Sequence, residues 1–132
     1  MDFTHVKSPD TDEIKRLAEA AWQSLPENFR ALCQAMAILV DEWPSDDVLA
    51  EFEAEDDPTG ILGLYQGIAL TEQGAGDIPD APHLVLLYRQ PILAYWSQYD
   101  ETLGDIVRHV LVHEIGHHFG LSDEDMEAIE EG

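Results

Sequence analysis

The sequence predicts an α+β fold, and three observations carry that prediction. Hydrophobic residues fill 45% and charged residues 26% of the 132 positions, a globular balance with enough chain for one core and too little for two. Several stretches repeat apolar residues at helical spacing, while others are short apolar runs bounded by Gly and Pro. The two kinds of stretch do not alternate in a βαβ rhythm, so the expectation is a single small domain over residues 1–132, a short β-sheet packed against helices.

The elements follow in order. Ile14, Leu17, Ala18, Ala21 and Leu25 line one helical face over Thr11 to Ser24, opened by the capping-box pair Asp10 and Glu13. A second helix is expected from about Ser24, with Glu27 as box partner and Phe29, Leu32, Cys33 and Met36 as its stripe. Cys33 on that stripe reads as a small core residue. Ala37 to Val40 is a strand, and Ser45 caps a short helix carrying Val48, Leu49 and Phe52. Glu51 to Thr59 is an acidic loop. Ile61 to Leu70 is apolar but holds Gly63 and Gly67, which suit a strand better than a helix. Thr71 to Pro82 is a long loop with two Gly and two Pro. Leu84 to Tyr88 is a buried strand, and Pro91 opens a brief helix to Trp96. The strongest helix begins at a cap on Asp100 or Thr102, carries Leu103, Ile106, Val107, Val110 and Leu111 on one face, and runs to Phe119 before Gly120. Ser122 and Asp125 form a last capping box, with Met126 and Ile129 turned inward.

Charge excludes some partners. Twenty-eight Asp and Glu face six Lys and Arg, a net charge of −22. No Lys or Arg falls between Arg30 and Arg89 or after Arg108, so neither nucleic-acid phosphate nor an anionic membrane surface finds a basic patch. No uncharged run reaches the roughly 18 residues of a membrane span, and no apolar signal segment follows Met1. One cysteine allows no internal disulfide; the expected location is the cytoplasm.

The chemistry lies in the strongest helix. His113-Glu114-Ile115-Gly116-His117 is an HExxH motif. Residues at i and i+4 share a helical face, so both imidazoles can reach one metal ion, while Glu114, rotated by about 100°, can touch a water on that ion and serve as general base. The pattern extends through Gly120, a residue that can turn the chain sharply off the helix, to Asp123. An Asp oxygen is a competent third ligand, and three protein ligands leave a position open for water, as in a catalytic site. Asp123 also has a plain reading as a first-turn carboxylate of the last helix, with Glu124 and Glu127 as fallback ligands. Zinc is the expected ion, although His and carboxylate suit other divalent metals. His109, His113 and His117 form an i, i+4, i+8 stripe spread over about 12 Å, too far for one tetrahedral ion, which leaves His109 to line the groove. His118 and His83 read as packed or surface residues, and Tyr65, Tyr88, Tyr95 and Tyr99 as core aromatics that are also candidate oxyanion donors.

Residues 113–123 resemble the extended metzincin motif of the zincin metallopeptidases, with Asp where most members have a third His. Only nine residues follow Asp123, which leaves no room for the methionine turn of metzincins; Met126 reads as a core residue. A closer resemblance, over nearly the whole chain, is to a minimal zincin-like family of small bacterial zinc metallopeptidases. It is carried by SLPENFR, GLYQG, LVLLYRQPI and HEIGHHFGLSD. The resemblance implies a zincin-like fold, zinc at His113, His117 and Asp123, and a peptide or protein substrate laid as an added strand along a sheet edge, with Ile61–Leu70 and Leu84–Tyr88 as candidates. The acidic surface suggests basic peptides. A rival reading is a non-catalytic acidic metal protein that docks a basic partner or mimics nucleic acid; it gives Glu114 no task.

Overall fold

Six helices and a three-stranded sheet form over residues 8–33, 36–67 and 83–131, which are the residues that the computed structural model of the chain describes. In chain order these are α1 Thr11–Ser24, α2 Glu27–Arg30, β1 Met36–Asp41, α3 Asp46–Glu51, a 3₁₀ turn Pro58–Gly60, β2 Gly63–Gly67, β3 His83–Tyr88, α4 Arg89–Gln98, α5 Leu103–His118 and α6 Asp123–Glu131. The expected loop Thr71–Pro82 lies outside the described residues, as does the end of the expected strand beyond Gly67.

Local signals fix most helix starts. Asp10 accepts from the Glu13 N–H at 2.8 Å, Ser45 from Val48 at 3.2 Å and Thr102 from Asp105 at 3.1 Å, each satisfying an orphan donor of the first turn. At α6 the box closes both ways: the Asp125 N–H donates to the Ser122 hydroxyl at 3.1 Å, and the Ser122 N–H to the Asp125 carboxylate at 3.3 Å. Two expectations need correction. The second helix is a single turn, Glu27–Arg30, with no side-chain cap; Ser24 instead donates its hydroxyl to the Ala21 carbonyl, and Met36 begins β1. Phe29 and Cys33 are buried as their stripe requires, but Leu32 is exposed. Also, α4 starts two residues before Pro91, at Arg89.

The sheet has the order β1-β3-β2. β3 is central, parallel to β1 with Ile38 opposite Val85, and antiparallel to β2 with Tyr65 opposite Val85. Its inner residues Val85 and Leu87 are wholly buried. β2 is an edge strand beside α5, and its approach is close. A Cβ on Gly63 would stand 2.6 Å from the Val110 side chain and 3.1 Å from the Leu86 carbonyl. The apolar strand with glycines is thus a strand against which a helix packs tightly.

α5 runs through the middle of the core. Val107, Leu111, Val112 and Ile115 are 0% exposed, and they pack with Ile14 and Ala18 of α1, Val85 and Leu87 of β3 and Ile92 of α4. Arg108 ties the flanking helices to it, donating to the Ser24 hydroxyl at 2.8 Å and to the Ile129 carbonyl at 3.3 Å. After α5, Gly120 takes φ +75°, a left-handed value that reverses the chain. α6 then folds back, and Met126, fully buried, fills the space over Gly116, where a Cβ would come within 2.5 Å of its sulfur. Cys33 is buried and its thiol is pushed up to about 11 by desolvation, which makes it an inert core residue.

The docking of α6 can be tested. Met126→Ala is expected to lower the unfolding free energy by about 2–5 kcal/mol in urea, the cost of an emptied core site. A loss below about 0.5 kcal/mol, the scale of a surface substitution, would contradict the packing.

Candidate metal centre

The candidate site lies along one side of α5, where side chains emerge from an otherwise buried helix. His113 and His117 stand one turn apart with ring centroids 5.6 Å apart, and His109 and His113 stack more closely at 3.9 Å. His113 is partly buried, whereas His117 and His109 are exposed. Burial and the neighbouring His109 hold the His113 imidazole below its ordinary pKa; Glu130 and Asp123 pull the other way and are outweighed. The ring is therefore neutral near pH 7, the form in which imidazole ligates a metal.

Glu114 occupies a different environment. It is partly buried, and desolvation raises its pKa against the opposing effects of His117 and the nearby Tyr65 backbone N–H. Glu114 lines a cleft together with Gly63 and Leu64 of β2, which locates it relative to the sheet. The Tyr88 N–H donates to the Leu62 carbonyl at 3.0 Å, so the backbone groups of Leu62 and Leu64 face β3. Those of Gly63, Tyr65 and Gly67 face outward, away from β3. Of the two candidate edges, β2 is the one that borders the site and β3 is the sheet centre.

A cleft of about 440 Å³ opens between these elements, lined by Gly63 and Leu64 of β2, by His109, His113 and Glu114 of α5, and by Tyr95 and Glu101 among others. His109 therefore lines the groove as expected, with Phe52 and Ile106 on the apolar wall. Tyr95 donates to Glu101 at 3.3 Å and stacks on Tyr99. Tyr88 is 1% exposed, its hydroxyl held above its ordinary pKa by burial and then by Asp41 and Glu114. Tyr65 hydrogen-bonds His83 Nδ1 and packs against His118 and Phe119, so His83 and His118 serve as aromatic packing at the far end of α5.

The carboxylates near the histidine row come from α6. Asp123 opens α6 as its first residue and is exposed, near enough to act electrostatically on His113. Glu124 and Glu127 are exposed on the same helix. Among the described residues, the side chains whose ligand atoms all lie within 4.8 Å of one another are His109, His113 and Glu130. Glu130 Oε1 is 2.8 Å from His109 Nδ1, and its Oε2 is 3.9 Å from His113 Nε2. The sequence reading did not single out Glu130. A signal existed: it follows Asp123 by seven residues, two helical turns, and so shares its face.

Residues 33–132 match a family model described as zincin-like metallopeptidase. The match covers the elements from β1 onward, including α5 and its histidines, and leaves α1 and α2 outside. No curated protein matches the chain.

The raised pKa of Glu114 has a stability consequence. Folding favours its protonated form, so the folded state binds more protons than the unfolded one between the ordinary and the raised pKa, and stability falls as pH rises through that window. Metal-free Glu114→Gln is therefore expected to unfold at higher urea than the wild type at pH 7, with the gap closing below the ordinary carboxylate range. A variant that is less stable at pH 7 would contradict the desolvation of Glu114.

Proposed function

The chain belongs to the family of zincin-like metallopeptidases, and on that premise we propose that it is a zinc-dependent peptidase in which Glu114 is the general base. The observation that carries this reading is the position of Glu114. A carboxylate with a raised pKa sits one residue after His113, at the outward-facing edge of β2 and in the wall of a cleft. A structural metal site has no use for such a group.

The donor set fits a zinc ion: two imidazoles one turn apart on a rigid helix, with carboxylates at hand. In this proposal His113 and His117 hold the ion, with Asp123 as third ligand. Bound zinc supplies a Lewis acid that polarises a carbonyl and acidifies a water. The chain's own residues do the rest. The edge groups of Gly63 and Gly67 pair with an extended peptide laid beside β2. Glu114 takes a proton from the attacking water and returns it to the leaving amine, and a raised pKa suits a carboxyl that must do both near neutral pH. Among the described residues the cleft is lined by Glu101 and Glu114 and by no Lys or Arg, which favours substrates with basic side chains. The rival reading, an acidic metal protein that docks a basic partner, draws on the same charge but leaves Glu114 idle.

A peptide-library digest tests the reading. Glu114→Gln is expected to keep its metal and lose hydrolysis by roughly 10²–10⁴-fold, and His117→Ala to lose hydrolysis as well, with cleavage by the wild type next to Lys or Arg. Equal cleavage by Glu114→Gln would sink the mechanism.

A further inference from the structure

The cluster of His109, His113 and Glu130 shares only His113 with the motif, and its arrangement calls for an explanation. We propose that these three side chains form a second seat for a divalent transition metal, sharing His113 with the motif pair, so that one ion per chain has two alternative positions.

The geometry supports this in several ways. Around a tetrahedral zinc with bonds of 2.0–2.1 Å, ligand atoms stand about 3.3 Å from one another. The two distances from Glu130 to the imidazoles, 2.8 and 3.9 Å, bracket that value. Each oxygen of the carboxylate faces a different ring, so a small rotation of side chains admits an ion between them. The chemistry is two imidazoles and one carboxylate, a set that zinc, cobalt and nickel all accept. The side chains are 51%, 29% and 20% exposed for His109, His113 and Glu130, which leaves a path for a hydrated ion and room for water as a fourth ligand.

The support is preformed on both helices. His109 and His113 are fixed by one turn of α5, whose next face is core. Glu130 is delivered by α6, which is held by Met126 over Gly116 and by the Arg108 guanidinium on the Ile129 carbonyl, one residue away. The seat therefore does not wait for a loop to order. Surrounding charge favours a cation as well, since seven acids and no Lys or Arg follow Arg108.

Sharing has a consequence. His113 turns Nε2 toward Glu130, and that nitrogen cannot serve both seats. An ion held by His109, His113 and Glu130 takes His113 away from His117, so the cluster acts as a store or entry position for the motif site and not as an added cofactor.

Cobalt(II) titration of the full chain tests this, with binding read from the visible absorption of the ion. His117→Ala is expected to bind one equivalent still. Adding His109→Ala or Glu130→Gln to His117→Ala is expected to weaken that binding by roughly 10-fold or more, since even outer-shell partners of a metal carry that much. The same two changes in the wild type are expected to leave the tighter motif site within about 3-fold, less than the ten-fold that 1.4 kcal/mol corresponds to. Paramagnetic shifts of the His109 imidazole protons in cobalt-loaded His117→Ala give a readout that needs no double variant. No binding by His117→Ala, binding indifferent to both His109 and Glu130, or an unshifted His109 would overturn the proposal. None of these outcomes bears on whether the wild type hydrolyses peptides, so the two proposals fail separately.

Discussion

Burial of α5 is the constraint on which the rest depends. The helix is packed by α1, α4 and α6 and by β2 and β3, and half of its sixteen residues are buried. Each aliphatic side chain removed from water there is worth about 1.5–3 kcal/mol, so the helix has no freedom to rotate or slide. Its polar side chains emerge where packing leaves a gap, and the histidines consequently form a fixed row at one-turn spacing. A row of ligands on a loop would lose affinity to ordering; on this helix that cost is met when the core forms.

The same packing sets the electrostatics. Gly63 lets β2 come close to α5, and Glu114, in the wall of the cleft between them, loses solvent. Burial and a neighbouring ring keep His113 neutral. A carboxyl with raised and an imidazole with lowered proton affinity thus stand in adjacent positions of one helix. In the proposed hydrolysis Glu114 starts as the carboxylate, and its raised pKa helps it hold the proton it takes from water until that proton passes to the leaving amine.

How much of this was legible in the sequence follows from the range of each interaction. α1, α5 and α6 could be read almost to the residue, because caps such as Asp10, Thr102 and Ser122 and the apolar stripes act within one or two turns. The helix expected after Ser24 shrank to one turn because Phe29 and Cys33 satisfy the core from a turn as well as from a longer helix, and Met36 was claimed by pairing with His83 forty-seven residues on. Strand order is non-local in the same way; nothing near Gly63 says that β3 rather than β2 is central. At the site, the motif spacing announced His113, Glu114 and His117. The contact of Glu130 with His109 depends on the Gly120 turn and on how deeply Met126 seats, and the local pattern encodes neither depth nor angle.

The charge of −22 gains a narrower meaning from this arrangement. Much of it is solvated surface, but six of the seven acids after Arg108 ride on α6, whose Glu130 meets the histidine row, where they attract cations. The central claim is that α5 and α6 together hold a metal ion. The direct measurement is the metal content of freshly purified protein, before and after a chelator and after reloading. One equivalent of zinc per chain, removed by the chelator and restored by zinc, is the predicted result; a chain that carries no metal and takes up none from excess zinc would contradict the account.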